Sequence, residues 1–258
     1  MADRPKIAAI TTVYHKFSHT QHIVDRFLEG YGWNGRHHRP EMDLISLYVD
    51  QVDPDPEGDR PDLSRDREAR FPQMTIYATV ADALTLGGSD LAVDGVLLVA
   101  EHGSYNRNEK GQHLYPRYEL FKQIASVYRT TGKTAPVFND KHLSWNWDWC
   151  QEMYDISQEL DFAFMAGSSL PVTWRTPSVE FPSGVEVEEA VSVCYGGVDS
   201  YDFHGLETLQ CMIERRKGGE AGVGAVQAVQ GDALIKARDA GRWSQELLEA
   251  ALGSLPAK

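Results

Sequence analysis

The sequence predicts an α/β fold, a doubly wound parallel sheet over residues 1–170 followed by a small, mainly helical appendage over residues 171–258. Three observations carry that prediction. Short apolar runs at residues 6–10, 43–49, 96–100 and 135–138 read as strands buried on both faces, as in a parallel sheet. Segments with apolar residues at helical spacing alternate with them, the pattern of strand–helix–strand crossovers. Beyond Pro171 the alternation stops, and Pro177 and Pro182 interrupt the chain.

Taken in order, residues 6–10 form a strand, and residues 20–29 form a helix with Ile23, Val24, Phe27 and Leu28 on one face, stopped by Gly30. Residues 43–49 (DLISLYV) are a second strand ending at Asp50. The following stretch to about residue 66 is so rich in Pro, Asp and Gly that a mobile surface loop is expected. Residues 75–77 are a short third strand, and Thr79 and Asp82 a capping box for a helix ending at Gly87. After the strand at 96–100 comes a helix with Pro116 at its first position and Gly132 past its end. Ser144 or Asn146 caps the next helix, and residues 162–166 are a further strand. In the appendage, residues 185–195 alternate like a strand with one wet face, residues 203–216 are helical, and Ser244 caps a last amphipathic segment.

A net charge of −13, from 38 acidic and 25 basic residues, argues against nonspecific binding to nucleic acid or an anionic membrane. No apolar run reaches the ~18 residues of a membrane span, and residues 1–6 carry no signal-peptide core, so a cytoplasmic protein is expected. Cys150, Cys194 and Cys211 lack metal-type spacing and read as reduced, buried thiols. Trp145, Trp147 and Trp149 read as core or interface packing and, with the short appendage, point to a homodimer.

The order of these signals resembles the glucose-fructose oxidoreductase and inositol dehydrogenase family (Gfo/Idh/MocA) across residues 6–170. Residues 69–100 look like that family's passage from third to fourth strand, and residues 136–143 (PVFNDKHL) look like its Glu-Lys-Pro motif, with Lys141 on the family's lysine. The Asp202-Phe203-His204-Gly205-Leu206-Glu207 segment echoes a histidine of its substrate domain. The resemblance implies a Rossmann-like fold and an NAD(P)-dependent oxidoreductase, with Thr11, Thr12, Lys16 and Asp50 as cofactor contacts. The family's glycine-rich turn is absent, since Thr11, Val13 and Lys16 stand at its positions, and Val13 and Tyr14 would crowd a pyrophosphate.

Ligands bind outside the carboxyl ends of strands in such sheets. There the sequence places Tyr14, His15 and His19, then Glu101 and His102, then Asp140, Lys141 and His142. Imidazoles and carboxylates in that density suit zinc or manganese, and Asp140 and His142 would point to one side of a continuing strand. The expectation is an enzyme acting on a small polar metabolite, sugar-like or carboxylated, by acid/base chemistry assisted by a divalent metal. Lys141, His102 and Glu101 are the proton-transfer candidates. His15, Glu101, Asp140 and His142 are the metal ligands, and Tyr14, His19, Arg175 and His204 the substrate contacts. The alternatives are the NAD(P)-dependent oxidoreductase and a non-catalytic binding protein.

Overall fold

The computed structural model describes residues 4–52, 59–168 and 170–254. The chain divides into two compact units, Met1–Gly167 and Ser168–Lys258.

In the first unit the chain runs β1 (Lys6–Thr11), α1 (His19–Leu28), β2 (Tyr31–Trp33), β3 (Arg36–His38), β4 (Asp43–Val49), α2 (Ser64–Arg70), β5 (Thr75–Ile76) and α3 (Val80–Thr85). It continues with β6 (Gly95–Val99), α4 (Arg117–Thr131), β7 (Val137–Asp140), α5 (Trp147–Glu159) and β8 (Phe164–Gly167). Six of these strands make one sheet in the order β5-β4-β1-β6-β7-β8, every neighbouring pair parallel. This is the doubly wound, Rossmann-like order. The chain winds outward from β1 to β5, then returns to the other side of β1, so the connections part between β1 and β6.

Side-chain alternation along the strands feeds two apolar layers. On one face Ala8, Ile10, Val96, Leu98 and Val137 pack with Leu84, Phe121, Ile124, Tyr128, Met153 and Ile156 of α3, α4 and α5. On the other, Ile7, Ala9, Leu47, Leu97 and Val99 pack with Val24 and Leu28 of α1. All five residues of β6 are buried, which is why its sequence is a continuous apolar run. Removing a side chain such as Phe121, fully buried, would cost about 3–5 kcal/mol.

Local chemistry sets the helix ends. Ser18 Oγ accepts from Gln21 N, Thr79 Oγ1 from Asp82 N, and Asn146 Oδ1 from Asp148 N and Trp149 N. Pro116 stands at the cap of α4 rather than inside it, and Gly132 closes that helix at φ 66°.

Two elements differ from expectation. The hairpin β2–β3 turns on Asn34 and Gly35, with φ of 48° and 70°, the left-handed pair that a tight antiparallel hairpin needs. Helix α2 begins inside the stretch read as a loop. Its buried face is Ser64 and Arg67 rather than apolar residues, so no apolar periodicity announces it. The rest of that expected loop includes residues 53–58, outside the described residues.

The second unit holds α6 (Phe203–Ile213), α7 (Asp232–Asp239) and α8 (Gln245–Gly253), the last capped by Ser244. The strand expected at residues 185–195 is not formed. Among the described residues, that segment makes only an isolated bridge, Val185 to Arg216, and without a partner strand its alternation has no ladder to support it. The three cysteines are free as expected, but Cys194 is exposed and the other two are half-buried. Among the described residues no helix is long and apolar enough to cross a membrane.

Candidate functional site

The first residues after β1 tie the carboxyl edge of the sheet together. Thr11 Oγ1 donates to Tyr48 O and Thr12 Oγ1 to Glu101 O, each at 2.9 Å, and both threonines are fully buried. Their hydroxyls are therefore engaged in holding the ends of β1, β4 and β6 in register, not presented to a phosphate. Val13 and Tyr14 also turn inward. Tyr14 is fully buried, its hydroxyl donates to Asp25 at 2.6 Å, and Arg67 grips the same carboxylate with two bonds of 2.8 Å. Burial and the adjacent Asp25 push the Tyr14 hydroxyl far above its ordinary range. Tyr14 thus anchors the turn to α1 and α2 instead of contacting a substrate, and neither it nor Val13 crowds the crevice.

Three imidazoles meet over the open edge. The His102 ring lies 5.8 Å from that of His15 and 5.1 Å from that of His19, between ring centroids. His19, the first residue of α1, bonds through Nδ1 to Asp140 Oδ2 at 2.6 Å, and the Asp140 side chain is only 8% exposed. A carboxylate accepts, so the His19 proton sits on Nδ1 and Nε2 is left to exchange protons. His15 Nδ1 is likewise held, 2.9 Å from Lys16 O. Burial, then the charges of His19, His15, Lys141 and Arg60, lower His102 to about 4, so it is neutral at pH 7. His102 Nδ1 is buried with no hydrogen-bond partner. Assigning the proton to Nε2 avoids a buried, unpaired N–H.

The backbone under these groups is unusual. His102 and Lys141 have φ of 69° and 74°, the left-handed region that side chains other than glycine rarely adopt; Lys141 follows directly on β7, and His102 lies three residues past the end of β6. At Lys141 this ends β7, and its N–H donates to Gly167 O at 2.8 Å. The strand therefore does not continue. Asp140 reaches His19, whereas His142 Nε2 lies 3.3 Å from the Arg117 guanidinium. The expectation that Asp140 and His142 share one side fails for this reason.

Glu101 pairs with Arg117, whose side chain is 1% exposed. A carboxylate so engaged is unsuited to be a mobile acid or a ligand. Among the described residues no group of three or more His, Cys, Asp or Glu is disposed to hold a metal ion. The expected set His15, Glu101, Asp140 and His142 does not converge on one point, and zinc or manganese finds no support in it: two members are drawn to Arg117 and one to His19.

Asp50, at the end of β4, accepts from Tyr48 OH at 3.0 Å and Tyr105 OH at 2.6 Å. The Tyr48 hydroxyl is pushed up to about 12 by burial and by Asp50, and Tyr105 is raised further for the same reasons. Beside them Gln51 Nε2 donates to Ser104 O and Ser104 N to Gln51 Oε1. Gly103, at φ 112°, is required here because a Cβ would meet the Tyr105 ring at 2.5 Å. The residues thus fit a dinucleotide only in part. The crevice is free of Val13 and Tyr14, but the acidic residue that would take the adenosine ribose is already held by two hydroxyls. Lys16 lies with its ammonium over the Phe17 ring, 4.9 Å from the centroid.

A cavity of about 600 Å³ opens at this edge, lined by His15, Asp59, Arg60, His102, Gly103, Ser104 and Tyr115. The segment carrying Arg60 is fixed to the β1–α1 turn by the backbone bridge of His15 with Asp62 and by Leu63 N donating to Tyr14 O at 2.7 Å. Sequence reasoning missed Arg60, Tyr105 and Arg117. Arg60 stands in a stretch whose composition signals only a loop, and Arg117 looks like an ordinary helix-surface cation. The loop after Gly103 contains a turn in which Asn108 Oδ1 accepts from Lys110 N and Gln112 N.

Arg175 and His204 belong to the second unit. There Arg175 pairs with Glu180 and also donates to Pro171 O, and His204 Nδ1 lies 3.0 Å from Glu207.

No protein-family model matches the chain, and no curated protein matches it. Among solved structures it is similar to a Gfo/Idh/MocA family oxidoreductase from Vibrio cholerae, at 15% identity over 65% of this chain and 39% of that one, with a TM-score of 0.39. It is also similar to myo-inositol 2-dehydrogenase from Lactobacillus plantarum, at 13% identity over 64% of this chain and 36% of that one, TM-score 0.38. A third is biliverdin reductase from a Synechocystis species in complex with biliverdin and NADP+, at 9% identity over 62% and 37%, TM-score 0.38. The chain spans less than two fifths of the length of each. The family that the residue pattern resembles thus reappears among the solved structures, while the fold class rests on the strand order of the chain itself.

Proposed function

We propose that the first unit is an enzyme performing acid/base chemistry on a small polar metabolite at the carboxyl edge of its sheet. The single observation supporting this reading is the His19–Asp140 pair, 2.6 Å apart with His102 at 5.1 Å from His19. Asp140 orients the His19 ring through Nδ1, so that His19 Nε2 takes a proton from substrate and returns it. His102, neutral at working pH, donates a hydrogen bond from Nε2 to the oxygen on which charge develops. The ammonium of Lys141 adds positive potential at the same point, as its effect on His102 indicates.

The test works without the substrate being identified beforehand. In D2O, a panel of hydroxy acids, oxo acids and sugars is screened by NMR for deuterium uptake at carbon. At least one compound should exchange with the wild-type protein and not with His19→Gln. A panel in which no compound exchanges, or in which His19→Gln matches wild type, would sink the reading.

A second reading is an NAD(P)-dependent oxidoreductase. It is favoured by the reversal of strand order between β1 and β6 and by an acidic residue, Asp50, at the end of β4. A bound nicotinamide would supply hydride transfer, and His19 and Lys141 would handle the accompanying proton. Titration with NADH, read by energy transfer from tryptophan, distinguishes this reading: saturation supports it and a flat response removes it.

A further inference from the structure

We infer that the 600 Å³ cavity beside the histidine cluster selects a substrate carrying an oxyanion, a carboxylate or a phosphate, held between Arg60 and His15. The inference rests on the acid/base reading of this edge and adds the substrate class to it.

The argument is one of charge placed against the trend of the chain. The protein carries a net charge of −13, yet its cavity wall presents the Arg60 guanidinium beside the imidazoles of His15 and His102, with the Lys141 ammonium close enough to act on His102. Among the described residues, Asp59 is the carboxylate of the cavity lining, and Asp140 lies behind it on His19. Asp140 is committed to His19 at 2.6 Å. Asp59 is 95% exposed and lies 3.7 Å from Arg60, a loose surface contact that does not consume a guanidinium with five donors. Arg60 therefore retains the planar fork that matches carboxylate or phosphate with paired hydrogen bonds.

Its location is fixed as well. The isolated bridge between His15 and Asp62 joins the Arg60 segment to the turn that carries His15, and both side chains line the cavity, Arg60 with 58% of its side chain exposed. His15 Nδ1 is directed to Lys16 O, leaving Nε2 as the ring atom for a ligand. Ser104 and Tyr115 complete the lining. An oxyanion seated here would lie beside His102, bringing the adjoining carbon of the substrate toward the His19–Asp140 pair. A neutral sugar would leave the arginine without a partner.

The test titrates full-length protein, with its histidines labelled with ¹⁵N, with inorganic phosphate, malonate and glucose in turn. Saturable shifts of the His15 and His102 ring signals by phosphate or malonate at low millimolar concentration are expected, and Arg60→Gln should weaken that binding about tenfold. Phosphate alone would name a phosphorylated substrate, malonate alone a carboxylic acid, and binding of both the shared oxyanion. The inference is overturned if neither anion saturates by about 50 mM, if glucose binds as well as they do, or if Arg60→Gln binds with unchanged affinity. Deuterium uptake is read on separate samples, so loss of the anion site and loss of the acid/base reading are told apart.

Discussion

His19 and Asp140, 121 positions apart in the chain, are joined by a 2.6 Å hydrogen bond from the first residue of α1 to the last of β7. One partner opens a helix and the other closes a strand. The bond therefore depends on both loops being held, by Ser18 capping α1 and by the Lys141 backbone donating to Gly167.

Asp140→Asn tests the electrostatic share of this pair. The amide oxygen can still accept from His19 Nδ1, so the ring keeps its orientation, but the negative charge of the carboxylate is gone. Deuterium uptake by a responsive substrate is expected to fall about 100-fold or more, with the unfolding midpoint little changed. An unchanged rate would assign Asp140 a purely structural role.

The state of His102 predicts how stability follows pH. Its folded value of about 4 lies below the ordinary 6.5, so between those values the unfolded chain binds more protons and stability rises with pH. The contribution is fully present above about pH 6.5 and is lost as pH falls through about 4, amounting to at most about 3 kcal/mol. His102→Asn has no such proton to take up. Urea unfolding at pH 7 and pH 4.5 should show the wild type losing more stability than the variant, while equal losses would contradict the burial of a neutral ring.

The sheet was legible in the sequence because burial on two faces writes apolar runs such as Gly95–Val99, and the helix starts because Thr79 and Asn146 are capping side chains. The site was legible only as residue types at strand ends. Which imidazole met which carboxylate depended on the left-handed turn at Lys141, and a lysine gives no sign of positive φ. Helix α2 stayed hidden because an ion pair, Arg67 with Asp25, holds its buried face. The strand expected at residues 185–195 shows the converse: alternation names a face, not a partner.

Arg117 and Glu101 offer a stability measurement independent of catalysis. The guanidinium is 1% exposed, the carboxylate is its charged partner, and the Tyr115 ring lies 5.2 Å from the guanidinium. Glu101→Gln would leave a buried cation without a counter-charge, which is expected to cost about 3–5 kcal/mol in chemical unfolding. Arg117→Met with Glu101→Gln, which removes both charges, should recover part of that loss. A single variant as stable as the wild type would mean that water reaches the pair.

Asp50 provides the sharpest discrimination between the two functional readings. Its carboxylate is held by Tyr48 and Tyr105, and a dinucleotide ribose would have to displace at least one of them. Tyr105→Phe removes the shorter of the two bonds without removing the ring that packs beside Tyr115. If the edge binds NAD(P)H, the liberated carboxylate should tighten NADH binding about tenfold, the scale of one hydrogen bond to a charged group. If it does not, wild type and variant give the same flat titration, and Tyr105 serves only to lock the loop after β6 onto the end of β4. Weaker NADH binding in the variant would show instead that the tyrosine itself contacts the cofactor, and the ribose would then lie elsewhere than at Asp50.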